Sequence, residues 1–201
     1  MKPSYYTPKS FLETSIEVKK SRFIARAAKV RDKAEAKTFI DQARRDFPDA
    51  RHHCWAYLLG NPHAACSAAM NDDGEPGGTA GKPILNVIQH KHIGDIMVVV
   101  IRYFGGIKLG AGGLVRAYSS AAEAVVSGLA LEEHRARVEL QLYADFQQEQ
   151  FVRHLLSGVN GEVLATHYGE GVEIHISIEE PHQASFLLEC NQRGIRLKDA
   201  D

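Results

Sequence analysis

Two hydrophobic periods run through this chain, and each switch between them marks a new kind of element. Alternation predicts strands at Phe11–Val18 and Arg22–Val30, joined by the short basic link Lys19-Lys20-Ser21. Helical spacing takes over from Asp32 to Phe47, where Ala36, Phe39, Ile40 and Ala43 fall on one side. Asp32 is placed to cap that helix with Glu35 three residues on, and Pro48 ends it. Ala50–Leu59 and Cys66–Met70 read as strands. Asn71–Pro83, rich in Gly and Pro, is a structured loop. Thr79 is placed to cap a following helix that carries Pro83 in its first turn and runs through Ile84, Leu85, Val87 and Ile88, closed by His90 and His92. Ile96–Ile101 is an unbroken apolar run, the pattern of a buried strand, and Ala117–Leu129 reads as an Ala-rich helix.

Leu131–Arg137 is a charged connection, and beyond it the periodicity is clearest. Strands are predicted at Val138–Tyr143, Glu162–Tyr168, Val172–Ile178 and Ile195–Lys198, with helices at Phe146–Leu156 and Pro181–Asn191. Gly169-Glu170-Gly171 forms the hairpin turn. The order β-α-β-β-α-β is the ferredoxin-like arrangement. The chain is therefore expected to be α+β with two domains, residues 1–133 and 138–201.

Charge sharpens that division. The net charge of −1 hides a balance of +6 over residues 1–137 and −7 over residues 138–201. Contact with a polyanion should fall on the first half. No apolar run approaches the length of about 18 residues that spans a bilayer, and the first residues lack the apolar core of a signal peptide, so the expected location is the cytoplasm without membrane association. Three cysteines, Cys54, Cys66 and Cys190, show no C-x-x-C spacing and fit reduced thiols. The spacing of His52, His53, Cys54, His63 and Cys66 is not that of a structural zinc site. Neighbours on a strand point to opposite faces, so His53 cannot activate Cys54. No metal and no cofactor is expected.

The densest candidate chemistry lies at Arg102–Tyr118, R-Y-F-G-G-I-K-L-G-A-G-G-L-V-R-A-Y. Gly105, Gly106, Gly110, Gly112 and Gly113 crowd into nine residues between the buried strand and the Ala-rich helix. Glycines there permit positive φ or close backbone approach, and a helix start presents free N–H groups to an anion. Arg102, Lys108 and Arg116 are the only charged residues between Asp95 and Glu123. The spacing matches neither the P-loop nor the dinucleotide fingerprint. Anion binding and plain strand–helix packing both account for it. Lys20, Arg22 and Arg26 share one strand parity and read either as a solvated edge or as a phosphate-facing stripe. Asp72, Asp73 and Glu75, close to Thr79, offer three uses: a divalent-cation site, a general base, or turn chemistry.

Four motifs carry a family resemblance: S-R-F at Ser21–Phe23, H-x-C-x-A at His52–Ala56, D-D-G-E-P-G-G-T-A-G-K-P-I-L at Asp72–Leu85, and the glycine–basic stretch at Arg102–Tyr118. With these the chain resembles bacterial members of the IMPACT family over about residues 10–130. Residues 138–201 resemble the small C-terminal domain of those members, which is similar to domain V of elongation factor G. The resemblance implies that the first domain is folded like the second domain of ribosomal small-subunit protein five, and it implies a link to translation. Eukaryotic relatives restrain a starvation-activated kinase by competing for its ribosome-bound activator. Their extra N-terminal domain has no counterpart in this sequence, so that partner is not carried over. The resemblance brings no established enzymatic activity.

The expectation is a translation-linked regulatory binding protein. It would contact ribosome or RNA phosphates through Lys20, Arg22, Arg102, Lys108, Arg116 and the loop glycines, without DNA specificity, and it could take a translation-related protein partner. The acidic second domain suits protein contacts better than RNA. The enzymatic alternative acts on a small phosphorylated or acidic metabolite, with Asp73 or Glu75 as base or metal ligand and His53 in support.

Overall fold

The chain's most apolar run becomes the middle of a sheet. In the computed structural model, which describes residues 4–198, β6 (Ile96–Tyr103) is buried from Ile96 through Arg102. It is third in an antiparallel sheet ordered β2 (Leu12–Val18), β3 (Ser21–Lys29), β6, β4 (His52–Leu59) and β5 (Ser67–Asn71). Helices cover both faces, which is why β6 is apolar without alternation. One face carries Phe23, Cys54, Ala56, Val98 and Val100 against α2 (Gly81–His90) and α3 (Ala111–Ser127). The other carries Ile24, Tyr57, Met97, Val99 and Ile101 against α1 (Lys33–Asp46). Contacts make Tyr5–His134 one unit, and a second unit begins at Arg135.

Local sequence accounts for most of the boundaries. Asp32 caps α1 by accepting the Glu35 N–H at 2.8 Å, while the Glu35 carboxylate reaches back to the N–H of Arg31. Three expectations are corrected. The Ala-rich helix starts at Ala111, six residues earlier than predicted, because Gly112 and Gly113 lie in its first turn and Leu114 is buried from it. Thr79 does not cap α2, since its hydroxyl bonds the Pro76 carbonyl at 2.6 Å. Asp72 does so from farther back, its carboxylate accepting the N–H groups of Gly78, Ala80 and Gly81 at 2.8–2.9 Å. The charged connection is also partly a strand. β7 (Leu131–His134) pairs with β1 (Tyr5–Pro8) in a two-stranded clasp that sets Tyr5 opposite His134.

The second unit has the ferredoxin-like order. Strands β8 (Arg137–Ala144), β9 (Glu162–Tyr168), β10 (Val172–Glu179) and β11 (Arg196–Leu197) lie in the order β11-β8-β10-β9. Helices α4 (Glu149–Gly158) and α5 (Gln183–Gln192) give Val152, Leu156, Phe186 and Cys190 to a core with Leu142, Ile174, Ile176 and Ile178. The α+β class holds in both units. No helix among the described residues is long and apolar enough to cross a membrane.

Candidate functional site

Where β6 runs out, the two glycine-bearing loops meet. The acidic loop supplies Glu75 and Pro76, and the glycine–basic loop supplies Phe104, Lys108, Leu109 and Gly110; together they line a pocket of about 410 Å³. Arg51 and His52 at the start of β4, Arg102 on β6, and Ala111 and Leu114 on α3 complete it. His52 stands opposite Arg102 in the sheet register, and Phe23 stands opposite Arg102 on the other side. These side chains therefore leave the sheet on the face covered by α2 and α3.

The pocket wall is tied down by a buried polar chain. Arg102 Nη1 donates to Glu75 Oε1 at 2.6 Å, with side-chain exposures of 8% and 4%. The Tyr118 hydroxyl donates to the same carboxylate oxygen at 2.8 Å. Burial pushes ionisation of Tyr118 far up, with Cys54 and the Glu75 charge adding, so the phenol remains a donor. Cys54 Sγ lies 3.0 Å from the Asp72 carbonyl oxygen and 3.3 Å from the Tyr118 hydroxyl. Burial also drives its thiol well above the ordinary value; the Tyr118 hydrogen bond opposes this and nearby carboxylates reinforce it. Cys54 is a neutral packing thiol, not a nucleophile. One nitrogen in this network stands apart: Arg102 Nε is buried and has no hydrogen-bond partner.

The three acidic residues are each engaged. Asp72 caps α2. Asp73, at a φ of 41°, accepts the His53 N–H at 2.7 Å and Arg44 Nη2 at 3.0 Å. Glu75 holds Arg102 and Tyr118. His53 points to the α1 side, where its Nε2 bonds the Phe47 carbonyl at 3.1 Å; burial lowers its pKa against the pull of Asp73. Of the three uses weighed for this loop, turn and cap chemistry matches the geometry. Among the described residues no group of three His, Cys, Asp or Glu side chains could hold a metal ion.

The predicted basic set divides. Arg102, Lys108 and Gly110 line the pocket. Gly110, at a φ of 72°, turns the chain into α3; the first bond of that helix runs from the Leu114 N–H to the Gly110 carbonyl. The N–H groups of Ala111, Gly112 and Gly113 precede that bond, and no side chain caps them. Exposed Arg116 folds back toward this end, its Nη1 lying 3.7 Å from where a Gly112 Cβ would stand. Gly106 turns at a φ of 84° with open space around it, and Gly105 serves packing: a Cβ there would lie 2.0 Å from the Lys20 carbonyl carbon. Lys20 itself sits in the β2–β3 turn, beside that glycine.

The phosphate-facing stripe is corrected. Arg22 and Arg26 belong to the opposite face of the sheet from Arg102, because β3 places Phe23, not Arg22, opposite Arg102. Arg22 lies 4.7 Å above the Tyr103 ring, and Arg26 is held by Glu13 and Asp46. Sequence reasoning missed Arg51, His52 and Phe104 as pocket residues. Phe104, an aromatic residue inside the glycine motif, was the legible signal, and His52 opens the H-x-C-x-A motif; Arg51 carried none.

Comparison with known proteins finds matches in both units of the chain. Residues 19–126 match the Impact N-terminal domain, and residues 142–189 match a domain of unknown function, DUF1949. The chain is similar to an IMPACT family member of Haemophilus influenzae, at 37% identity over 94% of this chain and 92% of that protein. It is also similar to the IMPACT family member YigZ of Escherichia coli, at 35% identity over 91% of this chain and 90% of that protein. A crystal structure described only as that of a hypothetical protein superposes with a TM-score of 0.76 and 32% identity, covering 100% of this chain and 99% of that one. Both motif-bearing loops around the pocket fall inside the matched span, and the chain belongs to the IMPACT family.

Proposed function

We propose that this chain is a translation-linked regulatory binding protein of the cytoplasm, whose first unit contacts ribosome or RNA phosphates at the α3 pocket. The observation that supports it is convergence. Arg51, Arg102 and Lys108 line one pocket with the amide end of a 17-residue helix, and Arg116 leans toward the same end. Glu75 offsets Arg102, which leaves Arg51, Lys108 and Arg116 as the surplus positive charge. Family membership supports the link to translation. Lys20 extends the basic surface from the neighbouring turn, whereas Arg22 does not belong to it.

The second unit suits a translation-related protein partner. The open face of its sheet mixes Glu139, Glu173 and Glu179 with Arg137, Arg196 and Lys198, charges that meet in pairs such as Lys198–Glu173. The balance of −7 over residues 138–201 as a whole, more than any one face, disfavours a phosphate backbone. The enzymatic alternative gains no support from the acidic loop, where both proposed bases already hold structural partners.

Cosedimentation with ribosomes and structured RNA across a salt series tests the proposal. Association should fall steeply between about 50 and 200 mM salt, as expected for counterion release. The exposed pair Lys108→Glu and Arg116→Glu should weaken it at least about tenfold without altering the fold. A salt-independent association, or one indifferent to both reversals, sinks the proposal.

A further inference from the structure

We propose that the α3 pocket is a site for one nucleoside monophosphate, either free or as the phosphorylated end of an RNA, with the phosphate on the α3 amides and the base against Phe104. The inference rests on the reading of this loop as a phosphate contact and narrows what is recognised.

Size is the first argument. A volume of about 410 Å³ lies toward the lower end of ligand pockets, which run from about 300 to 1,000 Å³. It accommodates a phosphate and one ring system, but not a run of backbone. Continuous RNA binding would instead need cations spread along a groove. Here Arg51, Arg102 and Lys108 face a single cavity, and Arg22 and Arg26 lie on the other side of the sheet.

Chemistry within the pocket is uneven in a way that matches a nucleotide. Gly110 and Ala111 bring the uncapped start of α3 to the pocket, with Arg116 Nη1 near that helix end, and a phosphomonoester carrying about −1.5 to −2 charge fits there. Phe104, 56% exposed, lines the same pocket and presents an aromatic ring 5.6 Å from the Arg102 guanidinium. A base stacked there would lie beside both ring and cation.

An independent observation also points to a ligand. Arg102 is 7% exposed and lines the pocket, yet its Nε has no partner, and only Nη1 is bonded to Glu75. A buried guanidinium N–H left unpaired is costly. An anion drawn into the pocket supplies negative charge beside a cation whose hydrogen-bonding capacity the protein leaves partly unused.

The test is calorimetric titration of the full chain at about 100 mM salt with adenosine 5′-monophosphate, adenosine 3′-monophosphate, adenosine, inorganic phosphate, and a short oligoribonucleotide with or without a terminal phosphate. One of the two monophosphates should bind at least about tenfold tighter than adenosine or inorganic phosphate, since stacking and charge each contribute. Phe104→Ala should bring that monophosphate close to the level of inorganic phosphate. Gly112→Asp should abolish binding of both while preserving the melting temperature, because its carboxylate takes the place of the ligand at the helix end. Tighter binding of the phosphorylated oligonucleotide assigns the site to RNA ends; binding of the mononucleotide alone assigns it to free nucleotides. Equal affinity for monophosphate and adenosine, or indifference to Phe104→Ala, overturns the proposal. Salt-sensitive RNA association surviving that result keeps the broader reading, whereas monophosphate binding without RNA association removes the broader reading and leaves the pocket.

Discussion

Arg102 and Glu75, 27 positions apart, form a 2.6 Å ion pair in which both side chains are more than nine-tenths buried. It joins the acidic loop to the glycine–basic loop. Removing one partner strands the other charge away from water, so Arg102→Met should lower stability by about 3–5 kcal/mol. Adding Glu75→Gln to Arg102→Met should recover most of that loss, because no buried charge then remains. Urea midpoints of the four members of this double-mutant cycle check it; strictly additive losses contradict it.

A second prediction separates the two candidate caps of α2. Asp72 accepts three backbone N–H groups and Thr79 accepts none of them. Asp72→Ala should therefore cost about 1–2 kcal/mol, the range for a lost N-cap. Hydrogen exchange should quicken selectively in the first turn of α2. In Thr79→Val, which removes the hydroxyl but keeps the shape, protection of that turn should be unchanged.

The loop glycines should respond in opposite directions. A Cβ at Gly105 would collide with the Lys20 backbone at 2.0 Å, so Gly105→Ala forces the β2–β3 turn and the loop apart and lowers the melting temperature. At Gly112 the added Cβ meets only the flexible end of Arg116 at 3.7 Å. Gly112→Ala should raise stability by about 0.5–1 kcal/mol, the ordinary gain inside a helix. Thermal melts of the two variants decide the matter.

Acid should destabilise the first unit in two stages. Burial holds the His53 pKa below its ordinary 6.5 in the folded chain, against the opposing Asp73 charge. The unfolded state then binds more protons just below that value, and stability falls as pH drops through it. Asp72 enters later. Burial tends to raise its pKa, but the N–H bonds from Gly78, Gly81 and Ala80 outweigh that and hold it below 3.8. Its contribution is intact above that value and is lost as pH falls through the folded one. Urea midpoints followed from about pH 7 down to about pH 2 should show both stages, with His53→Gln flattening the first and Asp72→Asn the second.

Much of this architecture was legible because it is local. Alternation in Leu12–Val18, the Asp32–Glu35 cap and the β-α-β-β-α-β order of the last residues each express themselves within a few positions. The misreadings all involve distant partners. Glycines at the start of α3 look like loop, yet Leu114, Ala117 and Tyr118 bury against the sheet and carry the helix through them. Asp72 caps from eight and nine positions away, outside any short capping pattern. Arg22 and Arg102 were grouped by charge, and only the register of β3 on β6 reveals that they leave opposite faces. For the site, both motifs were visible, but their meeting depends on the buried triad of Glu75, Arg102 and Tyr118.

The clasp between β1 and β7 has a mechanical consequence. Tyr5 and His134, the first and last residues of their unit, are paired directly, and the rungs continue inward to Pro8 and Leu131. A pull applied through both ends loads these rungs one after another, like a zipper opened from its tab. The bonds of Tyr5 to Asp95 and of the Gly94 N–H to the Tyr6 carbonyl share that load from the side of the large sheet. Modest force transmitted along the polypeptide would thus be met first at the margin of the unit, ahead of the α3 pocket.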